Sequence, residues 1–514
     1  MSSRALHHLL VGLAVLFAVT EATGQRSCDL TSSRRAVLTL TNETRVNYVS
    51  APRFACTDGT RIEADSSVTF EATSFSQLFG DVIFRDDRRE LYSDRAQYFS
   101  RVGRLQAQGS VRLVNLEDGS WVTGEDLVLL QEDDQRAEDD VMVREGRPHA
   151  HLIPKVEPDS TAIEGSPEAS HPESVEGALP YEIDADLIHF VGDHLVQARG
   201  QVEVRHQSLQ SYGDSLEFEQ DIGSMTLFEN ARILSHDAVS GDMLDVRGDT
   251  ITMKVPNDQI DEIEARGRAR LLAEGIDMRG PMIRLVFEEE ELERVFAVRR
   301  GIEEDLTPVT GGTDPVASSA NPAQPQALAE DFNLTGDSIE ADVSGGELER
   351  VVATGSARGV STARDSLNTD ATDELIRSDW IEGDTITATF GSVPPEPGDL
   401  GVGGSEAAEP MKRQLDLLVA HGQARSFYRS APDSAVAVGG TGAPALELNY
   451  VIGDEVRLFM KDGEVDRMEV DNPTGAYLQP RRPPAPEVEP PESGGTPVSS
   501  GADTAPPGGN GGIR

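Results

Sequence analysis

Aromatic residues make up only 5% of this 514-residue chain, and hydrophobic residues only 38%. That is little material for thick globular cores. It suits a thin stack of strands in which each layer buries only its neighbours. Cationic residues are scarce too: 45 Lys+Arg stand against 90 Asp+Glu, a formal net charge of −45. Taken as a whole, such a chain is repelled by nucleic acid and by bare anionic membrane surfaces, and solubility is the simplest reading of the acidity. Long apolar runs are missing except near the start, which argues against helical membrane spans elsewhere. Of the ten histidines, His151, His171, His189, His194 and His206 lie in loops or alternate with apolar residues, without a partnered nucleophile. No Gly-x-Ser-x-Gly, His-Glu-x-x-His or phosphate-binding loop occurs. The acidic run Glu288 to Glu291 reads as a solvated turn, not as a working carboxylate pair. We therefore expect no enzyme, no cofactor and no nucleic-acid partner.

The start of the chain reads as a targeting segment. Arg4, His7 and His8 precede an apolar run from Leu9 to Val19, followed by Ala22-Thr23-Gly24. The run is too short for a membrane span, so a signal peptide over residues 1–24, cleaved near Gly24, is expected; an uncleaved anchor is the alternative. Only two cysteines follow, Cys28 and Cys56. In an exported chain such a pair suggests one disulfide tying the N-terminus to the first strands. Lipidation of Cys28 is the competing reading, disfavoured because Arg26 stands where such signals want a small residue.

What the chain does have is one phrase that keeps returning. Gly-Asp opens a short apolar-alternating strand, a gap follows, and a second strand ends in Ala-x-Gly-x-Ala or Ala-x-Gly-x-Val. It spans Gly248 to Leu271 and again Gly336 to Val360. Earlier copies begin at Ala64-Asp65, Ser93-Asp94, Gly124-Glu125-Asp126, Ala185-Asp186 and Gly213-Asp214; later ones begin at Gly280-Pro281, Gly383-Asp384 and Gly453-Asp454. Recurrence at a near-fixed period marks a repeat architecture. About ten stacked hairpins, at ~4.8 Å per strand layer, give an expected rod of roughly 50 Å. Pro-, Gly- and Glu-rich stretches at 146–180 and 305–330 read as linkers, 479–514 as a disordered tail, and Ser392 to Pro410 as an insertion.

Within the phrase, Ile263, Ala265, Gly267, Ala269 and Leu271 share one face, and Glu264, Arg266, Arg268 and Arg270 the other. This is the period of a half-buried antiparallel strand. The centre of the buried row is small, whereas the partner strand offers Ile251, Met253 and Val255. Mid-strand Gly weakens a sheet unless something approaches closely or the strand bends. Two readings stay open: small against large as plain dry packing, or a small row that leaves a groove for something apolar such as acyl chains. The Gly-Asp pairs read as turns. The ladder Asp214, Asp249, Asp337, Asp384 and Asp454 lacks the nonapeptide that binds calcium in solenoids, so no metal is expected.

The repeated Gly-Asp-x-Ile and Ala-x-Gly-x-Ala/Val phrase resembles the OstA-like domain of lipopolysaccharide transport, found in LptA, in the periplasmic part of LptC and in the N-terminal domain of LptD. The resemblance is clearest over Leu91 to Glu132, Glu182 to Gly301 and Asn333 to Arg429. It implies an all-β fold: repeated antiparallel hairpins forming a twisted open β-jellyroll, in modules at 25–145, 181–304 and 331–478. It implies a periplasmic bridge or chaperone that carries lipid A acyl chains and assists outer-membrane assembly. Lipopolysaccharide or a related lipid, envelope transport components of the same fold joined by edge-strand pairing, and further copies of this chain are the implied partners. Strand parity then places Ala107, Gly109, Val111, Val196, Ala198, Val202, Leu216, Phe218, Ile251, Met253, Ala265, Ala269, Ile283, Leu285, Ile339, Val343, Ala353 and Ala357 in the lipid groove. The departures are the chain's length, its internal linkers and its acidity, which sets like charges against lipid A phosphates. The alternative function is a non-lipid structural or interaction rod of the cell envelope with a closed interior.

Overall fold

The computed structural model describes residues 26–41, 44–133, 135–154, 179–236, 243–256, 259–273, 275–288, 291–299, 324–329, 332–361, 377–393, 412–430, 447–461 and 464–478. The expected signal peptide and tail lie outside them, as does the insertion expected from Ser392 to Pro410, except for Ser392 and Val393, which end the strand Asp379–Val393. The described residues form an all-β structure of thirty strands in one hydrogen-bonded sheet, and every pairing is antiparallel. No helix among them is long and apolar enough to cross a membrane.

The sheet is folded along its length. Fourteen strands run its full width, such as Met243–Lys254 and Glu262–Ala273, and sixteen shorter ones pair end to end as eight further rungs. Twenty-two rungs result, each bent at its middle, so that two walls face each other across an apolar seam. Each expected hairpin thus supplies two rungs rather than one, and at ~4.8 Å per rung the stack is roughly 100 Å long, not 50 Å. We call wall I the side that holds Phe75–Phe79, Glu262–Arg266 and Arg350–Thr354, and wall II the side that holds Ala269–Ala273 and Ala357–Ser361.

The bend explains the repeated phrase. In the strand Glu262–Ala273, Gly267 has φ 70° and Arg268 φ 49°, and the ladder to Ile276–Glu288 slips by one residue between Arg266 and Ala269. This is a β-bulge with a left-handed glycine, which bends a strand sharply. Asp249 of the neighbouring strand lies directly over it: a Cβ on Gly267 would stand 2.9 Å from the Asp249 Cβ and Cγ. Gly80, Gly109, Gly200, Gly355 and Gly422 repeat the geometry under Asp65, Asp94, Asp186, Asp337 and Asp384. The Gly-Asp pair is therefore not a hairpin turn but the second half of a mid-strand corner. It sits there because the bent strand leaves no room for a side chain beneath the aspartate. Three described corners manage without glycine: Ala51 (φ 49°); Glu229 (φ 57°), whose neighbour Asn230 donates from Nδ2 to Asp214 at 3.0 Å; and Asn472 (φ 49°), which donates from Nδ2 to Asp454 at 2.9 Å.

The ladder runs on past both stretches read as linkers. Asp140–Arg144 and His149–Leu152 pair with Leu187–Val191 and Tyr181–Asp184. Glu291–Val298 and Gln326–Ala329 pair with Ser338–Ser344 and Phe332–Thr335. His149–Leu152 and Gln326–Ala329 fall inside 146–180 and 305–330. Four residues give only two alternations, too few to stand out from their Pro-rich surroundings. Cys28 and Cys56 are register partners on adjacent strands and form a disulfide.

Candidate functional site: an apolar seam between two walls

Alternation sends every second side chain of each wall inward, and these side chains build one contiguous core from Phe54 to Leu458. Small and large residues interleave across neighbouring strands. Ala265 lies between Ile251 and Ile283, and Ala353 between Ile339 and Ile386. Seventeen of the eighteen residues placed in the groove by parity face this seam and are 0–5% exposed. Gly109 does not: it is half-buried at a corner, with φ 78° under Asp94. Strict parity put it inward because it takes no account of the extra bulge residue. The same bulge shifts the phase of the opposing strand, so Val246 and Ile251 both point inward although they lie five positions apart.

Aromatic contacts reach across the seam. Phe84 of wall II meets Tyr98 of wall I edge to face at 5.7 Å, and Tyr181 of wall II meets Phe218 of wall I at 5.1 Å. Of these four only Phe218 was singled out by parity. The others sit in divergent repeats whose alternation is the only signal. Burial, with Asp58 and Asp86 nearby, pushes the Tyr98 phenol well above its ordinary value.

The margin opposite the corners is the mouth of the seam. No backbone ladder crosses it among the described residues. In the first third of the chain it is clasped by side chains. Arg88 and Arg89, in the turn at the rim of wall II, both reach Asp139 at the rim of wall I, Arg88 at 2.5 Å. Arg26 donates to the Glu132 carbonyl at 2.5 Å and pairs with Asp58 at 3.3 Å.

Outside the seam, carboxylates are held by one arginine two positions along the same strand and one on an adjacent strand. Burial alone would raise the Asp245 pKa. Hydrogen bonds from Arg247 and Arg232 outweigh it and hold the carboxyl down to about 2. Glu264, between Arg284 and Arg266, and Asp277, between Arg279 and Arg270, are lowered in the same way against burial. The corner aspartates are engaged locally, Asp249 by Arg268 and Asp337 by Arg299. His151 pairs with Glu182 at 2.7 Å, His189 with Asp140 at 3.0 Å and His194 with Glu138 at 3.5 Å, while His206 contacts the Pro180 carbonyl at 3.3 Å. His171 lies outside the described residues. Among the described residues no three His, Cys, Asp or Glu side chains are grouped to hold a metal ion.

Fold and site together define an all-β roll with a buried apolar seam. No protein-family model matches the chain, and no curated protein matches it. Among solved structures, the crystal structure of LptH from Pseudomonas aeruginosa is similar. It is described as the LptA-homologous periplasmic component of the conserved lipopolysaccharide transport device. The likeness covers 29% of this chain and 95% of that one, at 18% identity and a TM-score of 0.23.

Proposed function

We propose that this chain is a non-catalytic, periplasmic lipid-carrying bridge or chaperone of the cell envelope, which takes the acyl chains of lipopolysaccharide or a related lipid between its two walls. One observation carries the reading. Among the described residues the walls are joined by backbone only at the corners, so parting them at the mouth breaks side-chain contacts and leaves every described strand ladder intact. A folded sheet of this kind can admit an apolar chain without losing its hydrogen bonds. The seam face is also uncovered at the N-terminal end, where Leu38 is 62% and Leu40 70% exposed. The terminal strands Arg35–Thr41 and Glu464–Asp471 each pair on one side among the described residues, which leaves edges for strand addition by partners of the same fold or by further copies. The repeated phrase and its resemblance to the OstA-like domain support the same reading.

The near-zero exposure of the seam favours a second reading, a closed rod that carries no lipid. Mass spectrometry of lipids co-purified with the protein from its native envelope separates the two, run beside an Ala265→Trp/Ala353→Trp variant. Acylated glycolipid on the natural protein, and its loss from a variant that keeps its strand signal in circular dichroism, is the expected result. A natural protein free of lipid that still assembles end to end would refute carriage and leave the rod.

A further inference from the structure

The outer face of wall I at its N-terminal end differs from the rest of the molecule. Leu78, Ala96, Tyr98, Leu105 and Ala107 face the seam, so their alternating neighbours face out. Cross-strand register then aligns Phe70, Phe75 and Phe99, all half-buried, with exposed Arg104 in one outward row, which ends at the buried Val46. The rings of Phe70 and Phe75 stack at 5.7 Å, those of Phe75 and Phe99 at 4.6 Å, and the Arg104 guanidinium lies 5.9 Å from the Phe99 centroid. Beside this row, Tyr48 is 50%, Val37 42% and Phe79 40% exposed.

Over the segments 35–39, 46–50, 66–70, 75–79, 95–99 and 104–108, the outward positions carry Arg35, Arg95 and Arg104 and not one carboxylate. This occurs in a chain with 90 Asp+Glu. Acids appear only at the borders. Glu71 sits at the mouth rim, 3.6 Å from Arg45 and bonded to Asn47, and Asp65 and Asp94 lie over the corner glycines. The next strand brings Asp126, already held by Arg144. Apart from the edge strand Arg35–Thr41, the strands of this face are paired on both sides and offer no free backbone to a peptide.

We propose that this face docks the protein onto an anionic phospholipid bilayer surface. Phe and Tyr side chains on a broad face suit the interfacial layer of a bilayer, where aromatic rings concentrate. Arginines at its margin meet lipid phosphates, each contributing near the surface and less so as salt rises. The chain's net charge of −45 predicts repulsion from such a membrane. The sorting of charge overrides it locally and fixes the orientation, since the carboxylate-bearing surfaces are then turned away. The proposal does not depend on lipid entering the seam.

The test is flotation of the exported chain, freed of residues 1–24, with vesicles of phosphatidylglycerol and phosphatidylcholine and with vesicles of phosphatidylcholine alone. Binding to the anionic vesicles is expected, weakening as salt is raised. Arg95→Glu/Arg104→Glu weakens it at least tenfold. Arg199→Glu, an exposed arginine further along the same wall, changes it less than twofold. Ala265→Trp, which blocks the seam, floats like the natural protein, and this separates surface docking from acyl-chain uptake. Circular dichroism of each variant confirms that the sheet is intact. Equal binding to neutral vesicles, equal loss with Arg199→Glu, or no flotation at low salt would overturn the proposal. Retention only by an acidic protein partner, without vesicle binding, would overturn it as well.

Discussion

Replacing Gly267 with alanine tests the account of the corner. The backbone there has φ 70°, a left-handed conformation that costs a non-glycine residue about 1–2 kcal/mol. The new Cβ would also stand 2.9 Å from the Asp249 Cβ and Cγ. Asp249 must then swing aside and release Arg268, whose Nε donates to it at 2.8 Å. That exposed pair is worth little by itself, but forcing a methyl into a packed corner adds about 1–3 kcal/mol. The total is about 3 kcal/mol, or about a hundredfold in the local opening equilibrium. A roll of stacked rungs has no single unfolding free energy. The assay is therefore amide hydrogen exchange at Met243–Lys254 and Glu262–Ala273, compared with distant rungs. Exchange there is expected to rise about a hundredfold for Gly267→Ala, and by only about tenfold when Asp249→Ala removes the obstruction in both states. Glu229 already occupies such a corner at φ 57°, so Glu229→Gly should slow local exchange slightly. A cost below about 0.5 kcal/mol for Gly267→Ala, or the same cost with and without Asp249, would show that the aspartate does not set the glycine requirement.

Two other outcomes follow from the fold. Cys28→Ser opens a disulfide that spans 28 residues and should cost about 3–4 kcal/mol at the N-terminal end. It should fray Cys28–Ser32 and Arg53–Cys56 while exchange at Glu347–Ser361 stays unchanged. Asp245 has its folded pKa held down to about 2, below the ~3.9 of an unfolded chain. Its stabilising contribution is full above about pH 4 and disappears as pH falls toward 2. Denaturant titrations from pH 5 to 2 should show local loss around Asp245 in the natural protein, and a smaller pH-dependent loss in Asp245→Asn.

Much of this was legible from neighbouring residues alone. Strict alternation at Ile263 to Leu271 and at Val351 to Ala357 marked half-buried strands, because a strand's faces repeat every second residue whatever it packs against. The low aromatic content predicted thin layers, and a pair of cysteines in a chain read as exported predicted one bridge. The parity that placed seventeen residues on the seam side came from the same local rule. It failed at Gly109 because a bulge adds a residue, and only the pairing partner reveals that. The Asp over each corner glycine lies 14 to 38 positions away, so the reason for either residue is invisible until the strands are side by side. Whether a small inner row leaves a groove or is filled depends on the opposite wall, whose side chains come from other rungs. The acid-free face likewise assembles six strand segments spread over some seventy residues. Local sequence determined which side of each strand is apolar. Only the folded sheet decided what that side meets, because contact and charge sorting are properties of neighbours in space.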